Sequence, residues 1–146
     1  MLKIGDVAPP FKVKAHTGQT VSLSDYQGQT VVLWFYPKAD TPGCTAEGNG
    51  FCQLHQAYEA KGVQILGISF DTVEENAAFA EEFGFPYPLL CDTTREIGLA
   101  YHACDNREAG GPRRITYVID PDGKIKLAFA EVRAAEHPAS LLASLD

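Results

Sequence analysis

The fold is signalled most strongly by residues 31–44, which read VVLWFYPKADTPGC. The first part, Val31–Tyr36, is an unbroken run of β-branched, aliphatic and aromatic side chains. Such a run is typical of a strand that is buried on both faces of a sheet. Two prolines, an aspartate and a glycine follow at once and predict a loop over 37–43. The stretch therefore predicts a central strand that leads into a loop ending at Cys44.

A helix is predicted immediately after this loop. Phe51, Leu54, His55 and Tyr58 recur at helical spacing, so the helix should run from Cys44 to about Lys61. Cys44 then lies in the first turn of that helix, beside the carboxyl end of the central strand. Catalytic groups of α/β sheets tend to lie at this edge.

Strands and helices alternate along the rest of the chain. The predicted strands are two half-exposed ones over 11–14 and 20–24, and further ones over 62–70, 88–91, 114–120 and 125–129. The predicted helices are 73–83 with Asp71 or Thr72 as N-cap, one from the N-cap Thr94 through Tyr101, and 134–145. This order predicts a single α/β domain over 1–146, with a central mixed β-sheet flanked by helices. The middle of the sheet should be largely parallel, and an antiparallel hairpin should close it.

Cys44 is the cysteine whose position favours chemistry. Helix N-termini present unpaired N–H groups and a partial positive charge, which stabilise a thiolate. This effect alone is too small to make the thiol mostly ionised at neutral pH, so we expect a cationic neighbour. Nearby, the Thr41 hydroxyl can turn back to a group bound at the helix end, Gly43 allows close approach to the backbone, and Pro37 can shield the thiolate from water.

Composition narrows the classes of partner. The chain has 146 residues, of which 45% are hydrophobic, and its net charge is -7. An acidic balance argues against nucleic acid and anionic membranes as partners, because both are bound through basic patches. The N-terminus carries charges and prolines where a signal peptide needs an apolar stretch. We therefore expect a cytoplasmic protein.

The four cysteines are Cys44, Cys52, Cys91 and Cys104, and no two form a C-x-x-C motif. Neither a zinc ribbon nor a thioredoxin-type dithiol is therefore predicted. Histidines lie near two of the cysteines, at spacings that match no known zinc finger. We expect neither a metal nor another cofactor. His137 looks like a surface residue.

Two segments resemble the peroxiredoxins. Residues 35–47, FYPKADTPGCTAE, contain the pattern Pro-x-x-x-Thr-x-x-Cys and are similar to the bacterioferritin-comigratory (PrxQ) branch. Residues 114–123, RITYVIDPDG, are similar to the strand that carries this family's active-site arginine. The resemblance covers nearly the whole chain. It implies a thioredoxin-like fold and the reduction of hydroperoxides by a thiol.

The resemblance also implies roles for individual residues. Cys44 would be the peroxidatic nucleophile and would be oxidised to a sulfenic acid. Thr41 and Arg114 would hydrogen-bond the peroxide oxygens, and Arg114 would be the missing cation. Arg113 is chemically equivalent but lies one place off the family's arginine. Glu47 matches a family glutamate, or is simply an acidic residue of the first helical turn.

The pattern departs from this branch at the resolving cysteine. Many members carry one five residues after the peroxidatic cysteine, where this chain has Asn49. Cys52 and Cys104 are candidates for the role, and Cys91 looks like a core thiol. Cys52 is about 12 Å along the helix from Cys44, beyond the ~7 Å limit for a disulfide unless the helix unwinds. Gly48 and Gly50 weaken this helix. A mechanism with one cysteine and an external thiol stays open.

The expected activity is a thiol peroxidase for hydrogen peroxide and small organic hydroperoxides, recycled by a thioredoxin- or glutaredoxin-like reductant. Two alternatives remain. One is a peroxide-sensing or holdase-like binding protein, and the other is a thiol-disulfide oxidoreductase, which usually needs two cysteines in one short turn. The resemblance implies a monomer or a weak homodimer.

Overall fold

The computed structural model describes residues 1–145. The strands are β1 (Lys12–Lys14), β2 (Thr20–Ser22), β3 (Thr30–Phe35), β4 (Val63–Ser69), β5 (Leu89–Cys91), β6 (Thr116–Ile119) and β7 (Ile125–Phe129). The helices are α1 (Pro42–Gln53), α2 (His55–Ala60), α3 (Val73–Phe83), α4 (Glu96–Ala100) and α5 (His137–Ala143), with a 3₁₀ turn at Leu23–Tyr26. Residue 146, the last of the predicted domain, lies outside the described residues.

The central sheet has the strand order β5-β4-β3-β6-β7. The pairs β3–β4 and β4–β5 are parallel, whereas β3–β6 and β6–β7 are antiparallel. The predicted mixed α/β sheet is confirmed. Its parallel part is one half of the sheet rather than its middle, because β6 pairs directly with β3. Strands β1 and β2 form a separate antiparallel pair.

Strand β3 is buried on both faces, as the sequence predicts. Leu33 and Phe35 join one core cluster, with Tyr101 and Tyr117 among its members. The β3 residues that alternate with these, such as Trp34, belong to a second core cluster. This cluster also contains Cys44, Phe51, Phe79 and Tyr87. We call the side of this second cluster the α1 face of the sheet, and the other side the opposite face.

The predicted helix from Cys44 to about Lys61 is two helices in the structure. Helix α1 begins at Pro42, where proline suits the first helical position because that N–H has no intrahelical partner. Leu54 (φ -98°, ψ 7°) separates α1 from α2, and α2 ends at Ala60, which confirms the predicted end.

Tertiary packing explains why glycine occupies positions 48 and 50 of α1. A Cβ atom on Gly48 would lie 2.5 Å from the Phe85 ring, and one on Gly50 would lie 2.7 Å from Pro138. The two glycines therefore permit close packing of α1 on its neighbours. The sequence indicated only their cost to the helix.

Two helix N-termini test the capping predictions. Thr72 is confirmed as the N-cap of α3, with Glu75 completing a capping box. Thr94 is wrong as the N-cap of α4: Arg95 occupies that place with a left-handed φ of 66°. The Asp92 carboxylate accepts hydrogen bonds from the first-turn N–H groups of Ile97 and Gly98 instead. Helix α5 is shorter than the predicted 134–145.

No helix within residues 1–145 is both long enough and apolar enough to cross a membrane.

Candidate active site

The site lies where β3 ends and α1 begins. Thr41 is the N-cap of α1 with an extended backbone (φ -99°, ψ 155°), and Pro42 follows it. Cys44 is therefore in the first helical turn, and its side chain is fully buried on the α1 face. The first-turn N–H groups have no intrahelical acceptors and make this position electropositive.

Arg114 reaches this cysteine from the other half of the sheet. Its Nη2 donates a hydrogen bond to Cys44 Sγ at 3.4 Å, and its Nη1 donates to Glu47 Oε1 at 2.8 Å. Strand β6 starts two residues later and pairs with β3 through Thr116 and Trp34. This pairing brings Arg114 beside α1, although the arginine and the cysteine are far apart in sequence.

Arg113 points to a different environment. It pairs with the exposed carboxylate of Asp105 and donates to the backbone carbonyl of His102. The structure therefore brings Arg114, and not its neighbour, to Cys44.

Gly43 lies beneath the guanidinium group. A Cβ atom at this position would be 2.8 Å from Arg114 Nη2. The sequence indicated that glycine here allows a ligand to approach the backbone, and the structure shows the Arg114 side chain in that space.

Glu47 is fully buried behind the arginine. Burial raises its pKa to about 7, and the hydrogen bond and charge of Arg114 oppose the rise. Its Oε2 has no hydrogen-bond partner within the described part of the chain. The two interpretations of Glu47 are thus resolved geometrically: it is the ion-pair partner of Arg114 rather than an exposed first-turn acid.

We expect Glu47→Gln to change how stability depends on pH. Between the unfolded value of 4.5 and the folded value of about 7, the folded state binds more protons, so this group's contribution to stability falls as pH rises. Glutamine does not titrate. Chemical denaturation should therefore show the variant gaining up to about 3 kcal/mol relative to wild type between roughly pH 5 and pH 8.

Glu81→Gln is the matched control, because Glu81 is an exposed helical glutamate. Its stability difference from wild type should stay nearly constant over this pH range. A Glu47→Gln difference that is equally independent of pH would contradict the shifted titration of Glu47.

Thr41 and Pro37 belong to the loop before α1. The Thr41 hydroxyl donates to the Lys38 carbonyl at 2.7 Å, so it is directed back across the loop. Pro37 is exposed, and its carbonyl oxygen lies against the backbone of Gly111. The loop is thus held between the end of β3 and the connection that precedes Arg114.

The other cysteines lie in three different places, and all four thiols are free. Cys52 is partly exposed near the end of α1, with its Sγ 3.6 Å from the Gly84 carbonyl. Cys91 is buried at the end of β5, where Asn76 Nδ2 donates to its sulfur. Cys104 packs on Gly98 and follows Ala103 of the opposite-face cluster.

Burial raises the pKa of Cys52, Cys91 and Cys104. Among the described cysteines, Cys44 is the one whose sulfur accepts a hydrogen bond from a guanidinium group. The surroundings of the other three therefore favour the thiol, whereas Cys44 has a cation in contact with its sulfur. Residues 1–145 contain no group of three His, Cys, Asp or Glu side chains placed to hold a metal ion.

The sequence missed a buried polar cluster beside the loop. It consists of the buried side chains of Tyr36, Ser69 and Asn76, and the partly exposed Asp71 adjoins it. The sequence signal for this cluster is that Tyr36, Ser69 and Asp71 lie at the carboxyl ends of β3 and β4. The residue pattern around Asp71 indicates only an N-cap.

Comparison with known proteins shows the family to which this chain belongs. Residues 4–128 match the profile of the AhpC/TSA family. The chain belongs to this family. Both segments that carry the peroxiredoxin resemblance, 35–47 and 114–123, lie within the matched residues.

Relatives match the chain over nearly its whole length. It is 34% identical to peroxiredoxin Bcp of Bacillus subtilis over 149 residues, covering 99% of this chain and 95% of the relative. The crystal structure of peroxidoxin BcpB from Mycobacterium tuberculosis superimposes with a TM-score of 0.91 at 34% identity, covering 99% and 97% of the two chains. The predicted thioredoxin-like fold is confirmed, and this peroxiredoxin is a thiol peroxidase.

A third relative carries information on substrate. The bacterioferritin comigratory protein of Xanthomonas campestris, studied for its alkyl peroxide reduction activity, has a TM-score of 0.86 and 31% identity to this chain. The match covers 92% of this chain and 89% of that protein.

Proposed function

We propose that Cys44 is the peroxidatic nucleophile. The single observation that carries this proposal is the contact of the Arg114 guanidinium with Cys44 Sγ in the first turn of α1. A cation and a helix N-terminus both stabilise a thiolate, which is the nucleophilic form of cysteine.

The peroxide is reduced by the sulfur of Cys44 alone. The thiolate attacks the terminal oxygen of ROOH, an S–O bond forms, the O–O bond breaks, and the leaving alkoxide takes up a proton to become the alcohol. A thiol then attacks the sulfenic acid, which gives a disulfide and water. If the first thiol is external, a second one reduces this mixed disulfide; if it belongs to the protein, a dithiol reductant reduces the intramolecular disulfide and is itself oxidised to a disulfide, and Cys44 is regenerated in both cases.

Arg114 and Thr41 are the proposed partners of the peroxide. Charge develops on both peroxide oxygens as the O–O bond breaks, and hydrogen-bond donors fixed beforehand stabilise it. Arg114 is held by the buried Glu47, and the Thr41 hydroxyl needs only to exchange its acceptor, the Lys38 carbonyl, for a peroxide oxygen. Pro37 begins the same loop and is proposed to limit access of water to the thiolate.

The proposed substrates are hydrogen peroxide and small organic hydroperoxides. Complete burial of the Cys44 side chain supports small substrates, because a bulky one would have to displace the loop or Arg114. The alkyl peroxide reduction studied in the Xanthomonas campestris relative supports the organic class. We propose a thioredoxin- or glutaredoxin-like reductant, and we expect a cytoplasmic monomer or weak homodimer.

For resolution we propose Cys52, with Cys104 and an external thiol as the alternatives. Cys104 follows a residue of the opposite-face cluster, whereas Cys44 lies on the α1 face, so a Cys44–Cys104 disulfide would require movement around the sheet. Cys52 lies in the same helix as Cys44 and is partly exposed.

Unwinding the start of α1 would bring these two cysteines together. The Tyr87 hydroxyl donates to the Gly48 carbonyl at 2.7 Å in the core, and Phe85 packs on Gly48, so the helix is clamped there. The four residues from Cys44 to Gly48 can span up to about 14 Å when extended. Cys52 is about 6 Å beyond Gly48, which is within that reach.

One experiment tests both the activity and its resolution. We expect the reduced protein, mixed with one equivalent of hydrogen peroxide, to consume the peroxide and to lose two hydrogens in mass. Peptide mapping should show a Cys44–Cys52 disulfide. Cys52→Ser should instead gain one oxygen, while the matched control Cys104→Ser should still lose two hydrogens.

Each other outcome has a defined meaning. Loss of the disulfide in Cys104→Ser but not in Cys52→Ser would assign resolution to Cys104. A gain of one oxygen in wild type would indicate an external thiol. Slow peroxide loss with no change in mass would contradict both the peroxidase function of Cys44 and peroxide sensing by it, and would favour a holdase-like binding role. In the described fold a thiol-disulfide oxidoreductase is disfavoured, because Cys52 is two helical turns from Cys44.

A further inference from the structure

We propose that Asp71 is a positioning residue of the active site, which holds the loop over 37–41 in the conformation that presents Thr41. The inference rests on the proposed role of this loop in binding peroxide. Asp71 lies in the connection between β4 and α3, outside the segment with the peroxiredoxin motif. Its carboxylate Oδ2 accepts a hydrogen bond from the Ala39 backbone N–H at 2.8 Å.

The loop needs an anchor from outside. Within it, the Thr41 hydroxyl donates to the Lys38 carbonyl, which closes a turn over 38–41 but does not tie this turn to β4 or α3. Asp40 has a positive φ of 60°, a left-handed conformation that is unfavourable for a residue other than glycine and persists only where its surroundings impose it. The Ala39–Asp71 hydrogen bond lies directly before this residue, and its length of 2.8 Å is that of a well-formed N–H···O bond.

Asp71 is itself fixed by the buried polar cluster. Its backbone N–H donates to Ser69 Oγ at 3.3 Å, and Asn76 Nδ2 donates to the same oxygen at 3.1 Å. Asn76 Oδ1 accepts from the Tyr36 hydroxyl at 2.6 Å. Ser69, Asn76 and Tyr36 are all fully buried.

These hydrogen bonds form a closed path. Tyr36 is the residue immediately before the loop, and its side chain leads through Asn76, Ser69 and Asp71 back to Ala39. The start and the middle of the loop are therefore tied to one rigid cluster at the ends of β3 and β4. Removal of the Asp71 carboxylate opens this path at its link to Ala39 without changing the buried side chains of Tyr36, Ser69 and Asn76.

The test compares two reactions of Cys44. In Asp71→Ala we expect the second-order rate constant with hydrogen peroxide to fall about 10- to 100-fold, since misplaced groups near the reacting atoms cost rates of this order. Alkylation of Cys44 by iodoacetamide should not fall, because it needs the thiolate but not Thr41. Asp71→Asn keeps an acceptor oxygen and should restore the peroxide rate to within about 3-fold of wild type.

Glu74→Ala is the matched control, since Glu74 is an exposed acid in the first turn of α3. Its peroxide rate should equal that of wild type. An unchanged peroxide rate in Asp71→Ala, or an equal fall in both reactions, would overturn the proposal. Should Asp71→Ala not fold, Asp71→Leu takes its place, because leucine has a similar shape but no acceptor: a lower peroxide rate with unchanged alkylation is then required. If Cys44→Ser kept the peroxide rate, the proposed function itself would fail, whatever the Asp71 variants show.

Discussion

Peroxide consumption should fall by at least about 10³-fold when Cys44 is replaced by serine. The two side chains are nearly isosteric, so the fully buried position is kept filled and the contact with Arg114 can persist through the hydroxyl oxygen. A hydroxyl is not ionised by a helix N-terminus and one arginine, so the nucleophile is lost while the fold remains. Stopped-flow measurement of peroxide loss under excess peroxide gives the rate constant directly.

Cys91→Ser is the control for removing a buried cysteine. Cys91 is 5% exposed and lies at the end of β5, away from Arg114. We expect its rate constant to stay within about 3-fold of wild type, because its sulfur makes only weak hydrogen bonds. If Cys44→Ser kept the wild-type rate and Cys91→Ser lost it, Cys91 and not Cys44 would be the nucleophile.

Arg114→Met should lower the same rate constant by about 10²- to 10³-fold, the usual cost of removing one donor that stabilises developing charge. Methionine keeps much of the apolar stem but has no donor for Cys44 or for the peroxide. It also leaves Glu47 without its ion-pair partner, and breaking a buried pair costs about 3–5 kcal/mol of stability. The double variant Arg114→Met/Glu47→Gln separates the two effects, since it removes the buried charge as well.

Arg113→Met is the matched control for this prediction. Arg113 pairs with an exposed aspartate, and exposed ion pairs contribute little, so both rate and stability should remain close to wild type. An Arg113→Met variant that loses as much rate as Arg114→Met would contradict the assignment. Recovery of stability in the double variant without recovery of rate would confirm that Arg114 acts on the chemistry.

The strands were predictable because their signal is local. The apolar run Val31–Tyr36 and the segments over 62–70 and 125–129 each contain the apolar side chains that mark them as strands. The start of α3 was predictable for the same reason, since Thr72 and Glu75 form a capping box within one turn.

Predictions failed where the residue types around a position do not indicate its contacts. At the start of α4, Arg95 is the N-cap, and the Asp92 carboxylate accepts from the N–H groups of Ile97 and Gly98. His137 was expected at the surface, but it is 6% exposed between the rings of Phe51 and Phe129. Burial in this apolar site lowers its pKa to about 4. Neither partner lies near it in sequence.

The sequence by itself determined the mixed α/β sheet and the position of Cys44 in the first turn of a helix, because both follow from patterns within a few residues. Only the tertiary structure decided that Arg114 rather than Arg113 contacts the sulfur, and that Asp71 holds the loop. Both contacts depend on strand pairing, β6 with β3 and β4 with β3. Register and facing direction across a sheet arise from packing of the whole chain, which local periodicity does not contain.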